Sequence, residues 1–355
     1  MLARAGIIGS SGVGTLHADA LRRIGVTIAG IAAASPDIAR RDAERLGVEG
    51  IYPSAEELIA SDDIDVVHVC TPNALHLPQC RAALEAGKHV VAEKPLATSA
   101  RDAEELLHLA EGASVVHALC HTYRYYPMVQ VLRKLVASGE LGRVHTIHGT
   151  WLAEELLAVD PGHWMLDPRQ MGASLSLADV GIHWWDLVEH VTAMTISDVM
   201  CDTRAARPSA GDGDGEDSAV FVMRLDGGAI ASGTVCQAAP GHGNTVTLEL
   251  IGDRAAATWD IRSANLLVVR ELGGAQRVLE RATEPVRALG VTTRLPAGQP
   301  EGHADALRDL LTRVYDHIRT GDPSAGYPTF ADGLRGLRVL EALLQSARGG
   351  HWTAV

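Results

Sequence analysis

The chain reads as an α/β protein: a doubly wound parallel sheet, then a second α/β domain whose sheet is open and mostly antiparallel. Three observations predict this. From residue 3 to about 121, apolar strand-like runs alternate with helical patterns, the signature of parallel strands with helices on both faces. Beyond residue 142, strand-like segments follow one another across short turns such as Asp226-Gly227-Gly228 and Gly252-Asp253, as in an antiparallel meander. Finally, 355 residues exceed what one compact core usually serves. Two domains are expected, 1–122 and 123–355, with the C-terminal helices packing back on the first.

The predicted strands of the first domain are 5–9, 26–33, 65–70, 88–92 and 114–119. Between them lie helical stretches over 14–23, 37–46, 76–86 and 100–110, with apolar positions three and four apart. A helix over 127–138 and the turn Gly139-Glu140-Leu141-Gly142 close this texture. Second-domain strands are predicted at 144–152, 197–202, 218–225, 229–235, 244–251, 255–260 and 265–271, with one long helix over 177–192. Helical periodicity returns over 302–320 and 329–347. Residues 209–217 form a small acidic stretch. Counted from Asp212, Asp217 and Met223 stand where a calcium-binding EF-hand needs Gly and Glu, so a solvated hairpin loop is the reading. Segment 282–300 reads as a loop, either closing over something or a plain connection.

Composition narrows the function. A content of 46% hydrophobic and 21% charged residues describes an ordinary globular protein. No apolar run approaches the roughly 20 residues that span a bilayer, and no leader pattern precedes the first strand, so a cytoplasmic location is expected. The five cysteines are widely spread without a C-x-x-C pair, which argues against a disulfide framework or structural zinc. A formal net charge of -13 disfavours nucleic acid and anionic membrane surfaces, leaving a small molecule as the expected partner.

The first strand runs into Gly9-Ser10-Ser11-Gly12-Val13-Gly14. Against G-x-G-x-x-G this supplies Gly9 for a tight turn and Gly14 for close helix packing, while Ser11 takes the place of the middle glycine. The helix that follows would offer its N–H groups to a pyrophosphate, and the Ser11 hydroxyl could bond the phosphate. The position, after a first strand and opening a helix, makes this turn a nucleotide site. At the end of the second strand, Ala33-Ala34-Ser35 has no acid to bind ribose hydroxyls. Room is left there for a 2'-phosphate near Ser35 and Arg40 or Arg41, which favours NADP over NAD; the alternative is a site that takes both.

Two further motifs carry chemistry. His89-Val90-Val91-Ala92-Glu93-Lys94-Pro95 sets Lys94 at the carboxyl end of a strand, where ligands of open parallel sheets bind. The competing reading is a solvated loop lysine. Downstream, Asp179 and His183 lie one turn apart on the 177–192 helix, so the carboxylate can orient the imidazole for proton transfer near neutral pH. A plain surface pair competes with this, as does a metal site extended by Asp186 and His190; no metal is expected, since hydride transfer needs none. Aromatic residues are only 4% of the chain, yet Tyr123, Tyr125, Tyr126, Trp151, Trp164, Trp184 and Trp185 cluster in sequence around these motifs. They read as sugar-facing rings, with His163, Arg169 and Asp186 reading hydroxyls, or as core.

In order and spacing, Gly6-Ile7-Ile8-Gly9 with Gly14 and His17, Cys70-Thr71-Pro72-Asn73 with His76, Glu93-Lys94-Pro95, Tyr123-Arg124-Tyr125-Tyr126-Pro127, Asp179 to His183 and Pro328 to Gly333 resemble the glucose-fructose oxidoreductase, inositol dehydrogenase and MocA family. The resemblance implies an N-terminal Rossmann domain, and a C-terminal domain whose open sheet packs against another subunit of a homodimer or homotetramer. It implies that Lys94, Asp179 and His183 meet at the nicotinamide: His183 exchanging the hydroxyl proton, Asp179 orienting it, Lys94 polarising the oxygen. Thr71, Pro72, Asn73, His76 and Glu93 would line the cofactor cleft, and Tyr123, Arg124, Trp151, Trp164 and Arg169 the substrate side. The implied activity is NAD(P)-dependent oxidation or reduction of a sugar, cyclitol or polyol. Its alternatives are a redox-neutral epimerase or eliminase with tightly bound NAD, and a non-catalytic NAD(P) or metabolite sensor. The Lys94–Pro95 bond is expected to be cis.

Overall fold

A computed structural model describes residues 3–160, 162–207 and 215–355. Most of the acidic stretch 209–217 therefore lies outside the described residues. The chain divides into two compact units: 1–122 with 169–172 and 304–337, and 123–168 with 173–303 and 338–355.

The first unit is built on five parallel strands: β1 (Ala5–Ile8), β2 (Ile28–Ala32), β3 (Val66–Val69), β4 (His89–Ala92) and β5 (His117–Leu119), in the order β2-β1-β3-β4-β5. Every residue of β1 and β3 is buried, which is why their sequences run apolar without alternation. Helices α1 (Val13–Arg23), α2 (Pro36–Leu46), α3 (Ala55–Ala60), α4 (His76–Glu85) and α5 (Ala100–Gly112) connect the strands. Ser35, Ser54 and Ser99 start α2, α3 and α5 by accepting the main-chain N–H three residues on. The six-residue α3 is too short for periodicity to reveal from sequence. The strand order reverses direction between β1 and β3, and ligands of such sheets bind outside the carboxyl ends at that point.

The second unit holds a nine-stranded sheet in the order β13-β12-β11-β10-β6-β9-β8-β7-β14. Its strands are β6 (Val144–Ala153), β7 (Ile196–Arg204), β8 (Ser218–Leu225), β9 (Ile230–Cys236), β10 (Asn244–Gly252), β11 (Ala255–Asp260), β12 (Leu266–Glu271), β13 (Gln276–Glu280) and β14 (Thr353–Ala354). All neighbours are antiparallel except β6 and β9. The short β13 and β14 were not legible in the sequence. Segment 282–300 contains a helix, Glu284–Ala288, and its far end is tied down: buried Arg281 donates to the Glu301 carboxylate and to the carbonyl oxygens of Leu295 and Pro296.

The helix expected at 177–192 occupies those residues but opens with a π-helical turn, Leu177–Gly181, before α-helix from Ile182 to Thr192. Two glycines seat it. Gly149 of β6 and Gly233 of β9 are paired across the parallel ladder. A Cβ on Gly149 would stand 2.0 Å from the Thr247 oxygen and 3.0 Å from Trp184 Nε1; one on Gly233 would stand 2.4 Å from Phe221 and 3.3 Å from Trp184. The Trp184 indole fills that hollow, meets Phe221 edge to face at 5.3 Å, and donates to the Thr247 carbonyl at 3.3 Å. Gly233→Val should therefore destabilise the chain by about 1–3 kcal/mol through overpacking, read as a Tm several degrees lower in a thermal melt. An unchanged Tm would show that the helix does not depend on this seat.

Candidate active site

In the first unit, the Gly9 N–H donates to the Ala32 oxygen at 2.9 Å and the Cys70 N–H to the Ile8 oxygen at 2.8 Å, so the sheet is tied up to its very edge. Gly9 has φ +85, and a Cβ there would lie 2.4 Å from the Cys70 oxygen; one on Gly14 would lie 2.0 Å from the Gly9 oxygen. Only glycine fits either place. Gly12, at φ +51, faces open space instead, with nothing within 4 Å of a Cβ. No side chain caps α1 at Gly12 and its first turn holds no acid, so its amino end, opening at exposed Val13, is offered to an anion. This cradle fits a dinucleotide pyrophosphate.

Ser10 and Ser11 take a role the sequence did not suggest. Both hydroxyls donate to Asp42 Oδ2, at 2.9 and 2.7 Å. The proton of Ser11, assigned from sequence to a phosphate, goes to Asp42, because a buried carboxylate on α2 claims the nearest donors. Burial pushes the Asp42 carboxyl up, but bonds from Ser11 and Ser10 and the nearby Arg41 guanidinium outweigh it and hold the value below the ordinary one. At the end of β2, Ala33 is half-buried, Ser35 Oγ caps α2, and Arg40 pairs with Asp37 at 2.9 Å, both exposed.

Beyond β3, Thr71 Oγ1 donates to Gln79 Oε1 at 2.7 Å, and half-buried Pro72 leads to Asn73, whose Nδ2 donates to the Met171 oxygen at 3.0 Å. The buried His76 ring lies between two carbonyl oxygens, with Nδ1 2.7 Å from Pro95 O and Nε2 2.8 Å from Thr71 O. Burial lowers its proton affinity, and the two carbonyls oppose that only in part. His76 thus ties the β3 loop to the β4 loop. Lys94 is half-buried at the end of β4, its N–H donates to Glu93 Oε2 at 3.2 Å, and the Lys94–Pro95 bond is cis. Burial would raise the Glu93 carboxyl, but His17, 3.0 Å from Oε1, and Lys94 hold it below its ordinary value.

In the second unit the buried His183 ring packs in a three-ring cluster with Trp151, stacked at 5.4 Å, and Tyr123, tilted at 4.9 Å, which themselves meet edge to face at 4.6 Å. Trp151 Nε1 donates to Asn244 Oδ1 at 2.8 Å. Half-buried Asp179 accepts from Gln237 Nε2 at 2.8 Å, and the same amide nitrogen donates to Glu155. Among the described residues, buried Gln237 Oε1 has no hydrogen-bond partner. Arg124, expected on the substrate side, and Asp186, expected to read hydroxyls, form a forked ion pair with each other, because a buried carboxylate beside a guanidinium binds it bidentately. Trp184 and Trp185 belong to the core against Phe221, not to a sugar-facing cluster. Half-buried Trp164 lies 5.9 Å from the His163 ring, and Arg169 is exposed. Gln237, Asn244 and Glu216 were missed in the sequence. Glu216 Oε1 accepts from Ser174 Oγ, Leu175 N and Leu177 N at 2.6, 3.1 and 2.9 Å, pinning the start of the helix that carries Asp179 and His183.

Residues 3–121 match the family described as "Oxidoreductase family, NAD-binding Rossmann fold", and residues 129–258 match the "GFO/IDH/MocA C-terminal domain". The chain belongs to the Gfo/Idh/MocA oxidoreductase family. It is similar to the levoglucosan dehydrogenase of Pseudarthrobacter phenanthrenivorans, 25% identical over 354 residues, 92% of this chain and 88% of the relative. Among solved structures, an inositol dehydrogenase homologue from Azotobacter vinelandii with NAD+ superposes with a TM-score of 0.92 at 31% identity, covering 100% of this chain and 98% of that one. A levoglucosan dehydrogenase with NADH and levoglucosan gives 0.90 at 25% identity, covering 99% of each. Membership makes this Gfo/Idh/MocA chain a dehydrogenase or reductase with an NAD-binding Rossmann unit. No helix among the described residues is long and apolar enough to cross a membrane.

Burial raises the Glu216 carboxyl above its ordinary 4.5 although the bonds from Ser174, Leu177 and Leu175 pull it down. A value raised on folding means that the folded chain holds this proton to higher pH than the unfolded chain does. The resulting stability is full below pH 4.5 and is lost as pH climbs through the raised value. Glu216→Gln keeps an acceptor for the same donors, so its Tm should match the native one near pH 4.5 and exceed it increasingly toward neutrality. Glu216→Ala should cost about 1–3 kcal/mol throughout by leaving those donors unpaired. Thermal melts across this range check both, and a Tm gap that does not vary with pH contradicts the raised carboxyl.

Proposed function

We propose that this chain transfers hydride between a nicotinamide dinucleotide and a secondary alcohol or ketone on a sugar, cyclitol or related polyol. The observation that carries the reading is His183, an imidazole buried against the face of Trp151 and the tilted ring of Tyr123, on the same helical segment as Asp179. Flat aromatic surfaces suit sugar C–H groups, and an imidazole suits a hydroxyl proton. Similar chains include enzymes for levoglucosan and myo-inositol, which supports a cyclic polyol.

Gly9, Gly12, Val13 and Gly14 would hold the pyrophosphate, with Thr71, Pro72, Asn73, His76 and Glu93 along the rest of the cofactor. When bound, the nicotinamide supplies or accepts the hydride. His183 takes the proton of the substrate hydroxyl during oxidation and returns it during reduction. Asp179, held by Gln237, orients His183, and Lys94 stabilises the charge that develops on the substrate oxygen. Tyr123 and Trp151 provide apolar walls. Among the other substrate-side assignments, Arg124 acts through its pair with Asp186, while Trp164 and Arg169 reach substrate from the 163–171 segment.

The finer cofactor assignment is a preference for NADP, supported by the lack of an acid at Ala33-Ala34-Ser35 and by Arg40 and Arg41 midway along α2. The division of labour follows the sequence domains, 1–122 for dinucleotide and 123–355 for substrate and self-association. A homodimer or homotetramer through the outer face of the nine-stranded sheet is supported by exposed Met200, Val220 and Ile230 on β7, β8 and β9. A cytoplasmic location completes the proposal.

Lys94→Met should lower kcat by about two orders of magnitude or more while leaving dinucleotide affinity nearly unchanged. The assay is nicotinamide absorbance with a panel of sugars, cyclitols and their keto forms. Near-native turnover in this variant would remove Lys94 from the chemistry. The absence of turnover by the native chain on every member would point to a sensor, and turnover with retained cofactor but no net absorbance change would point to a redox-neutral enzyme. Fluorescence titration with both dinucleotides should give the tighter Kd for NADP; tighter binding of NAD overturns the preference.

A further inference from the structure

Behind Glu93, the interior of the first unit contains a row of polar side chains. His17 of α1 lies with Nε2 3.0 Å from Glu93 Oε1 and Nδ1 2.8 Å from His68 Nδ1. His68 Nε2 lies 2.9 Å from the hydroxyl of Tyr315, on the helix His303–Thr320. Both imidazoles are 0% exposed and Tyr315 is 6% exposed. His68 stands in β3 among Val66, Val67 and Val69, where an apolar residue would be routine. The other titratable groups around the row are Cys70 and Cys120 beside His17, His76 and Lys94 near Glu93, and Asp65 near Tyr315.

The hydrogen bonds constrain one another. An ionised carboxylate only accepts, so His17 Nε2 carries a proton toward Glu93. Burial, with His17 beside it, holds His68 well below its ordinary pKa, so His68 is neutral and has one donor and one acceptor nitrogen. The row is then a directed chain: if His17 is neutral, Tyr315 donates to His68 and His68 to His17; if His17 is charged, both bonds reverse. In either state every ring nitrogen in the row has a partner and the rings are locked.

We propose that His17, His68 and Tyr315 are positioning residues for hydride transfer: their hydrogen-bonded chain fixes the Glu93 carboxylate, and Glu93 in turn fixes the Lys94 main chain. The proposal rests on the oxidoreductase reading above. Stability alone does not account for the chain, since buried polar networks are commonly replaced by apolar side chains of similar volume at no loss of stability. A role in stability and a role in positioning therefore predict different outcomes when a link is removed.

Three variants of the full chain test it: Tyr315→Phe, His68→Leu and His68→Gln. Loss of one link should lower kcat about five- to ten-fold in Tyr315→Phe, and more in His68→Leu, while KM for the dinucleotide changes less than about two-fold. His68→Gln, able to donate to one neighbour and accept from the other, should recover most of the loss. Native kcat in both Tyr315→Phe and His68→Leu would overturn the proposal, as would a loss confined to Tm. A second readout needs no turnover: 15N NMR of the imidazole nitrogens in the native chain without dinucleotide. His68 should show one fixed neutral tautomer, and its signals should move in Tyr315→Phe. A His68 that stays tautomer-averaged at every pH from about 6 to 9 in the native chain overturns the directed chain whether or not the enzyme turns over, whereas a fixed tautomer without turnover on any polyol refutes the oxidoreductase reading alone.

Discussion

A parallel sheet buried on both faces leaves few places for polar groups, and each one placed there must find a partner away from water. That constraint organises the first unit. At the carboxyl edge, Asp42 takes the two serine hydroxyls, His76 stands between the Thr71 and Pro95 carbonyls, and Glu93 is held by His17 and by the N–H of Lys94. The amino end of α1 carries no side-chain cap. The uncapped N–H groups at the start of α1 give this edge a claim to an anion.

The second unit meets the same constraint by different means. Its sheet is mostly antiparallel, yet the helix that carries Asp179 and His183 lies on it closely enough to bring Trp184 against two glycines. Glu216 satisfies the main chain at the start of this helix, and Gln237 reaches Asp179 from just beyond the end of β9. The π turn at Leu177–Gly181 sits between these two supports. An extra residue per turn is unfavourable in isolation and persists where the surroundings fix it, as at many functional sites.

Much of this was legible in the sequence, for identifiable reasons. Gly9 and Gly14 could be read because backbone approach admits no other residue, and Glu93-Lys94-Pro95 and the Asp179–His183 spacing could be read because each is a short local pattern. The sheet of the first unit was legible because strands covered on both faces leave apolar runs. Contacts between distant positions were not: Gln237 meets Asp179 across 58 positions, Ser174 meets Glu216 across 42, and His68 meets Tyr315 across 247. Local pattern also could not separate Trp151, which faces His183, from Trp184, which fills the core, since both are tryptophans in apolar surroundings. The bond from Ser11 to Asp42 was not legible for a related reason, because that acceptor lies on another helix.

The glycine seat under Trp184 bears on how such a chain can change over time. Gly149 and Gly233 belong to two strands brought side by side by a parallel pairing, so no single local insertion can move the seat. The helix above it is therefore locked in position, whereas 154–176 and 237–243 run largely outside the strands. Diversification of this scaffold is channelled to those connections. Those connections can change while the helix under which the glycines lie keeps its place.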